Sequence, residues 1–273
     1  MEIKKYVYPK LPTALDLGFI RLGGNGLANC MFVAARAYIL AQKEHAIFIN
    51  PTWCKFSPGP FIRREIDKRH YFGLFRRYGV YGFHKLFILL FKRKQVTKVE
   101  GLGSYFVDIL DDYLTVKNYF EYSVHPSVLN KLNDIIFDDV IGVHVRLGDY
   151  VLSLRTNIEW YLSIIEQINL ITSKKNKFWL FSDGTEQELS CLTSIEGVKR
   201  MFLGNALADM LALSKTKLII GSDSTFSGWS AYLGQVPVIF PHRHFGEVLI
   251  NKENEIVGDN KNILESFLHR IFP

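Results

Sequence analysis

The chain has 273 residues, of which 48% are hydrophobic and 22% charged. That composition supports a packed core and excludes a disordered or low-complexity protein. The net charge of +6 is local: residues 61–98 carry eleven Lys and Arg against Glu65 and Asp67, a net +9, which leaves the remainder at −3. Three widely spaced cysteines, Cys30, Cys54 and Cys191, with no Cys-x-x-Cys, argue against a disulfide framework or a zinc site. They read as free thiols in a reducing compartment. Residues 1–6 lack the apolar core of a signal peptide, and no apolar run approaches the ~20 residues that span a bilayer. A cytoplasmic protein is expected.

In chain order, residues 17–22 read as a first strand and Gly23-Gly24-Asn25-Gly26 as a glycine-rich turn. The Ala-rich run 27–43 reads as a helix, and 46–49 as a buried strand stopped by Asn50-Pro51. A strand, Gly loop, helix and strand form the opening unit of a doubly wound fold. Residues 55–100 interrupt this rhythm as a basic, aromatic insertion, with helices expected at about 68–75 and 83–92. Residues 126–136 read as a helix leading into a second half. From residue 140 the alternation is regular, with strands at 140–145, 178–181, 198–203, 217–221 and 237–240. Helices are expected at 158–171, 185–192, 206–213 and 226–233, and a last one at 262–270. This pattern implies a parallel sheet covered on both faces. The fold class is therefore α/β, with a domain boundary near 137/138.

Polar groups follow the strands of the second half. The first ends in His144, Arg146 and Asp149, the second in Ser182-Asp183-Gly184, and the fourth in Ser222-Asp223-Ser224-Thr225. Carboxyl ends of parallel strands line one crevice in open α/β sheets. Arg146 beside His144 suggests a phosphate-bearing ligand. Ser224 and Thr225 at a helix start suit a phosphate through hydroxyls, backbone N–H groups and the helix dipole. Asp183 could accept hydrogen bonds from a base or a ribose. Each segment also has a plainer reading: Ser224-Thr225 as an N-cap, Asp183-Gly184 as a turn, Asp209 as a solvated or capping group, His144 as a structural histidine. The glycine turn does not match Gly-x-Gly-x-x-Gly, and no Gly-Lys-Ser/Thr follows it, which excludes a P-loop nucleotidase.

Taken together the segments resemble the α-1,2-fucosyltransferases of glycosyltransferase family 11. The family's His-x-Arg-Arg-Gly-Asp-Tyr stands here as His144-Val145-Arg146-Leu147-Gly148-Asp149-Tyr150. Its Gly-Gly-Leu-Gly-Asn-Gln-Met-Phe is matched by Asn25-Gly26-Leu27-Ala28-Asn29-Cys30-Met31-Phe32. Its Gly-Tyr-x-Gln-x-x-x-Tyr-Phe is echoed at 112–120, which contains Tyr113 and Tyr119. Phe181-Ser182-Asp183 is intact. Asp223-Ser224-Thr225-Phe226-Ser227-Gly228-Trp229, preceded by Asp209-Met210-Leu211, matches the late Asn-Ser-Ser/Thr-Phe-Ser-Trp-Trp motif.

The resemblance implies a GT-B glycosyltransferase with two Rossmann-like domains whose parallel sheets face a central cleft. Residues 1–137 would bind the acceptor and 138–273 the GDP-sugar, with the C-terminal helix packing back on the first domain. It implies an inverting transfer of L-fucose from GDP-β-L-fucose to a glycan hydroxyl, without cofactor or essential metal, in bacterial surface polysaccharide synthesis. Arg146 would bind the diphosphate and serve catalysis together with Asp149. Asn29, His144, Ser182, Asp183, Asp209, Asp223, Ser224, Thr225, Phe226 and Ser227 would form the donor site, and Tyr113 and Tyr119 would contact the acceptor. Asp16, Asp149 and Asn29 are candidates for the polar role at the acceptor hydroxyl. Leu147, Cys30, Asp223 and Gly228 depart from the family, which leaves room for another GDP-deoxysugar such as GDP-colitose, or for a binding protein without turnover. The basic aromatic window reads as a solvated face, as an acceptor or inner-membrane surface through 61–98, or as a nucleic-acid patch. No recognised nucleic-acid module accompanies it, and no nucleic acid is expected.

Overall fold

The computed structural model describes residues 4–13, 15–62, 67–148, 155–173 and 175–273. The chain divides into two compact units, Met1–Asn133 and Asp134–Pro273.

The first unit contains β1 (Tyr6–Pro9), β2 (Leu15–Asp16), β3 (Arg21–Leu22), α1 (Leu27–Lys43), β4 (Ile47–Phe48), β5 (Lys55–Phe56), α2 (Gly59–Ile62), α3 (Gly82–Phe91), β6 (Val96–Val99), α4 (Tyr113–Ser123) and α5 (Pro126–Leu129). Its parallel sheet has the order β4-β1-β6. The central strand is thus Tyr6–Pro9 and not residues 17–22. Gly18 breaks that run with φ +85°, and the Leu17 N–H closes a turn onto the Ile20 carbonyl. Only Arg21–Leu22 of the expected strand pairs, in a small second sheet of order β2-β3-β5. No helix forms at 68–75, where Arg69, Tyr71 and Gly73 take positive φ. The helix expected over 126–136 shortens to α5 and one further tight turn. Helix α1 buries Cys30, Met31, Phe32, Val33 and Ala34 completely.

The second unit contains β7 (Val140–Val145), α6 (Ile158–Thr172), β8 (Lys177–Ser182), α7 (Glu186–Thr193), β9 (Val198–Arg200), α8 (Ala206–Leu213), β10 (Leu218–Ile220), α9 (Thr225–Gly234), β11 (Val238–Phe240), β12 (Glu255–Val257) and α10 (Lys261–Ile271). All six strands are parallel, in the order β12-β11-β10-β7-β8-β9. Counted from β7 as the first strand, this is the 3-2-1-4-5-6 order of a Rossmann sheet. The α/β expectation with parallel sheets is borne out.

Strand β7 is buried along its whole length, as expected for an apolar run covered on both faces. Its residues alternate between faces. Ile141, Val143 and Val145 enter a core with Tyr161, Ile164 and Ile168 of α6, Leu189 and Leu192 of α7, and Leu264 and Phe267 of α10. The apolar face of α10 is therefore used within the core of the second unit. Gly142 and His144 point the other way. A Cβ on Gly142 would lie 2.6 Å from Leu213 of α8, so glycine lets α8 approach the strand. The helices have side-chain N-caps: Asn157 on α6, Thr185 with Glu188 in a capping box on α7, Asn205 on α8, and Ser224 on α9.

Candidate functional site

The strand order reverses between β7 and β10, the topological switch point at which ligands bind outside the carboxyl ends of the strands. His144 sits at the end of β7 and Ser222 just beyond β10. Because the strands are hydrogen-bonded neighbours, the two side chains meet. His144 Nδ1 lies 2.7 Å from Ser227 Oγ and 3.0 Å from Ser222 Oγ. Ser222 Oγ donates to Ser224 Oγ at 3.0 Å, and the Ser222 N–H donates to Ser227 Oγ at 3.0 Å. The His144 ring stacks on Phe226 with centroids 4.6 Å apart. Burial is the largest influence on the imidazole and pulls its pKa down to about 3, so it is neutral at physiological pH. His144, Ser222, Ser224 and Ser227 form one buried, uncharged network, with the half-buried Phe226 stacked on the imidazole, that ties β7 to the start of α9.

Beyond it lies a charged turn. The Arg146 guanidinium pairs with Oδ2 of Asp183, which follows β8. Asp183 Oδ1 accepts the Leu147 N–H at 2.9 Å and the Gly148 N–H at 3.1 Å. Ser182 Oγ accepts the Gly184 N–H at 3.0 Å and shapes the same turn. Arg155 spans from Gly148 O (3.2 Å) to Glu188 Oε1 of α7 (3.0 Å). The Leu147 side chain, which stands where the family has a second Arg, faces away and is buried in the core with Val145. Arg146 thus brings a positive charge to this turn beside Arg155, and Asp183 holds it in place.

The remaining candidates divide. Asp223 accepts from the His244 N–H (3.1 Å) and pairs with the His244 ring (2.8 Å) and with His242 (3.6 Å). The hydrogen bond to Asp223 raises the His244 pKa above its ordinary value. Thr225 opens α9 beside the Ser224 cap. Asp209 is buried in the first turn of α8 and accepts the Leu203 N–H at 2.7 Å, which ties the segment before the helix to it, while Asn205 provides the cap. Asp149 lies outside the described residues.

Four candidates belong to the first unit: Asn29, Tyr113, Tyr119 and Asp16. Asn29 is half-buried in the first turn of α1, after a glycine turn whose carbonyls accept hydrogen bonds from Arg21 and Lys55. Tyr113 is buried, and Tyr119 is buried with its ring stacked on Tyr38 at 4.5 Å, so both serve the core. Asp16 accepts from the Tyr8 hydroxyl and from the Gly18 N–H at 2.7 Å. Arg155, His242 and His244 were not singled out as site residues from sequence, and Ser222 was read only as part of the polar run after β10. The two histidines follow β11 and satisfy the strand-end rule that found the others. Among the described residues no group of three or more His, Cys, Asp or Glu could hold a metal ion.

An all-parallel sheet of Rossmann order, with Arg146, a helix N-terminus and a serine-rich network gathered at its switch point, is of the kind that receives ligands outside the carboxyl ends of its strands. The fold agrees with solved transferases. The chain superposes on the NodZ alpha-1,6-fucosyltransferase soaked with GDP-fucose with a TM-score of 0.57, at 14% identity, covering 86% of this chain and 94% of that one. The same enzyme co-crystallised with GDP gives a TM-score of 0.54, at 13% identity, covering 87% and 94%. The fucosyltransferase NodZ from Bradyrhizobium gives 0.50, at 12% identity, covering 88% and 96%. No curated protein matches the sequence. Residues 105–240 match the model of glycosyl transferase family 11, close to half of the chain. That stretch holds β7, β8, β10 and α9, and with them the switch-point cluster, so the likeness to this glycosyltransferase family is shown where the candidate site lies.

Proposed function

We propose that the chain is a GT-B fucosyltransferase of glycosyl transferase family 11. It takes L-fucose from GDP-β-L-fucose and delivers it, with inversion, to a glycan hydroxyl in an α-1,2 linkage, as in the building of bacterial surface polysaccharide. The observation that carries this reading is the Arg146–Asp183 pair at the switch point of a family-matched Rossmann sheet. The second unit would bind the donor and the first the acceptor.

In this reaction the C1–O bond to the diphosphate breaks, and charge accumulates on the departing GDP. Arg146 is oriented in advance by Asp183, so it meets that charge without reorganising. A guanidinium carries five donors, so an Arg steered by one carboxylate can still engage phosphate oxygens. The N-terminal end of α9 adds its positive dipole end. His144 is neutral and contributes shape: it holds Ser222 and Ser227, and with them the turn before α9. The acceptor oxygen attacks the opposite face of the sugar, and its proton passes to a base. Asp16 and Asp149 are the carboxylates we propose for that role.

The test is incubation with GDP-fucose and a galactose-terminated oligosaccharide, followed by mass spectrometry and digestion with an α-1,2-specific fucosidase. A product heavier by one fucose and sensitive to that enzyme is expected. A fucosylated product resistant to it overturns the linkage, and absence of transfer from GDP-fucose overturns the donor. A second reading, transfer of another GDP-deoxysugar, is favoured by Asp223, a carboxylate held by His244 where the family has Asn. Turnover of such a donor in place of GDP-fucose would select it.

A further inference from the structure

Helix α3 is inverted relative to an ordinary surface helix. Lys85 and Ile88 are its buried residues. Phe83 is 91% exposed, Phe87 49%, Leu90 55% and Phe91 75%. At spacings of four, seven and eight residues these four share one face. The Phe87 and Phe91 rings lie 5.2 Å apart, so the apolar strip is continuous. A surface helix normally turns such a strip inward and its lysine outward.

Lys85 prevents α3 from rolling over. Its ammonium donates to Asn50 O and to Thr52 Oγ1, both at 2.8 Å, and lies 4.9 Å from the centre of the Tyr8 ring. Rotating the helix to bury the phenylalanines would break these bonds. A contiguous apolar strip fixed outward in this way marks an interaction surface.

The charge around the strip indicates the partner. No Asp or Glu occurs between Lys68 and Lys98, a stretch with nine Lys and Arg. Lys92, Arg93 and Lys94 follow the last turn of α3 directly. Among the described residues, Arg76, Arg77, Lys92, Arg93, Lys94 and Lys98 are in no ion pair; Arg77 lies instead over the Tyr81 ring at 5.4 Å. No described helix is long and apolar enough to cross a membrane. Aromatic residues on one face with uncompensated cations beside them form the pattern of a helix lying in the headgroup region of an anionic bilayer.

We infer that α3 docks this protein on an anionic lipid surface. Phe83, Phe87, Leu90 and Phe91 enter the acyl boundary, and Lys92, Arg93 and Lys94 meet the headgroup phosphates. The inference is independent of the fucosyltransferase reading, since it rests on the first unit alone.

The test is flotation of the full chain with vesicles of phosphatidylcholine and with vesicles of equal parts phosphatidylcholine and phosphatidylglycerol, at low and high salt. Binding to the anionic vesicles that weakens with salt is expected. The variant Phe83→Ser/Phe87→Ser/Phe91→Ser should lose it. Lys92→Gln/Arg93→Gln/Lys94→Gln should weaken it about a hundredfold. Both variants should keep the parent melting temperature, and their sugar transfer to a soluble acceptor should match the parent's, which separates failure of this inference from failure of the activity. Vesicle binding unchanged in both variants, or no binding by the parent chain, would overturn the proposal. A self-associated parent that turns monomeric in the phenylalanine variant, without vesicle binding, would overturn it in favour of a protein interface.

Discussion

Asp183 holds Arg146 with one carboxylate oxygen and the backbone of Leu147 and Gly148 with the other. One side chain thus fixes both the charge and the turn that presents it. Asp183→Ala would leave the Leu147 N–H, on a buried residue, without its acceptor, which costs roughly 1–3 kcal/mol, while the exposed Gly148 N–H can turn to water. Asp183→Asn keeps an acceptor oxygen for those donors but removes the charge that steers Arg146. Urea unfolding should show the Ala variant clearly weakened and the Asn variant much less so. Sugar transfer should fall strongly in both. Full activity of either variant would remove Asp183 from the account.

Gly148 leaves no room for a side chain. A Cβ there would lie 2.7 Å from Asp183 Cγ and would collide with its Oδ2. Gly148→Ala should therefore push the carboxylate away from Arg146. A catalytic group displaced by ~1 Å can cost about a hundredfold in rate. We expect that scale of loss in kcat with a small change in melting temperature. Steady-state kinetics beside a thermal melt separates this local effect from general unfolding.

His144 links strand chemistry to pH. Burial holds its folded pKa near 3, below the ordinary 6.5. Between these values the unfolded chain takes up a proton that the native site refuses. Stability from this group is therefore fully present above about pH 6.5 and declines as pH falls through the window, by at most ~1.4 kcal/mol per pH unit. Comparison with His144→Gln isolates it: the difference in unfolding free energy between parent and variant should shift steadily against the parent as pH falls below 6.5. A difference independent of pH between 4 and 7 would contradict the buried, neutral assignment.

Lys85 should act in an alkaline window. Burial lowers its pKa to about 8 from 10.5. Between these values the unfolded chain binds the extra proton, so stability from this residue rises as pH increases from about 8 to 10.5. The parent should gain on Lys85→Met across that range, again by at most ~1.4 kcal/mol per pH unit. Equilibrium unfolding of the two proteins at several alkaline pH values checks the sign.

Much of the second unit was legible because parallel strands buried on both faces are written as apolar runs. Val140–Val145 and Leu218–Ile220 stand out for that reason, and the polar residues after them mark the site. The first unit was harder to read. Tyr6–Pro9 is too short and too aromatic to announce a central strand, whereas residues 17–22 look apolar yet turn at Gly18 and expose Leu17 and Phe19. Helix α3 was placed within a residue of its observed ends, but a helix apolar on several sides does not reveal which side faces inward. That depended on Lys85 finding Asn50 and Thr52, a contact across more than thirty residues. Asp183 was expected to face the ligand. Its engagement with two backbone amides and Arg146 depends on how two neighbouring strands end, which spacing along the chain does not encode. Leu147 looked like a missing charge at the donor site, and the alternation after β7 turns it into a core residue.

The central claim is that the β7–β10 switch point binds a guanosine diphosphate sugar through Arg146. Thermal stabilisation by GDP, GDP-fucose, UDP, ADP and CMP tests it most directly, for the parent chain and for Arg146→Ala. A ligand that binds only the native state raises the melting temperature. The account predicts selective stabilisation by GDP and GDP-fucose that disappears in Arg146→Ala. Stabilisation by another nucleotide in their place, or by GDP to the same degree in both proteins, would contradict it.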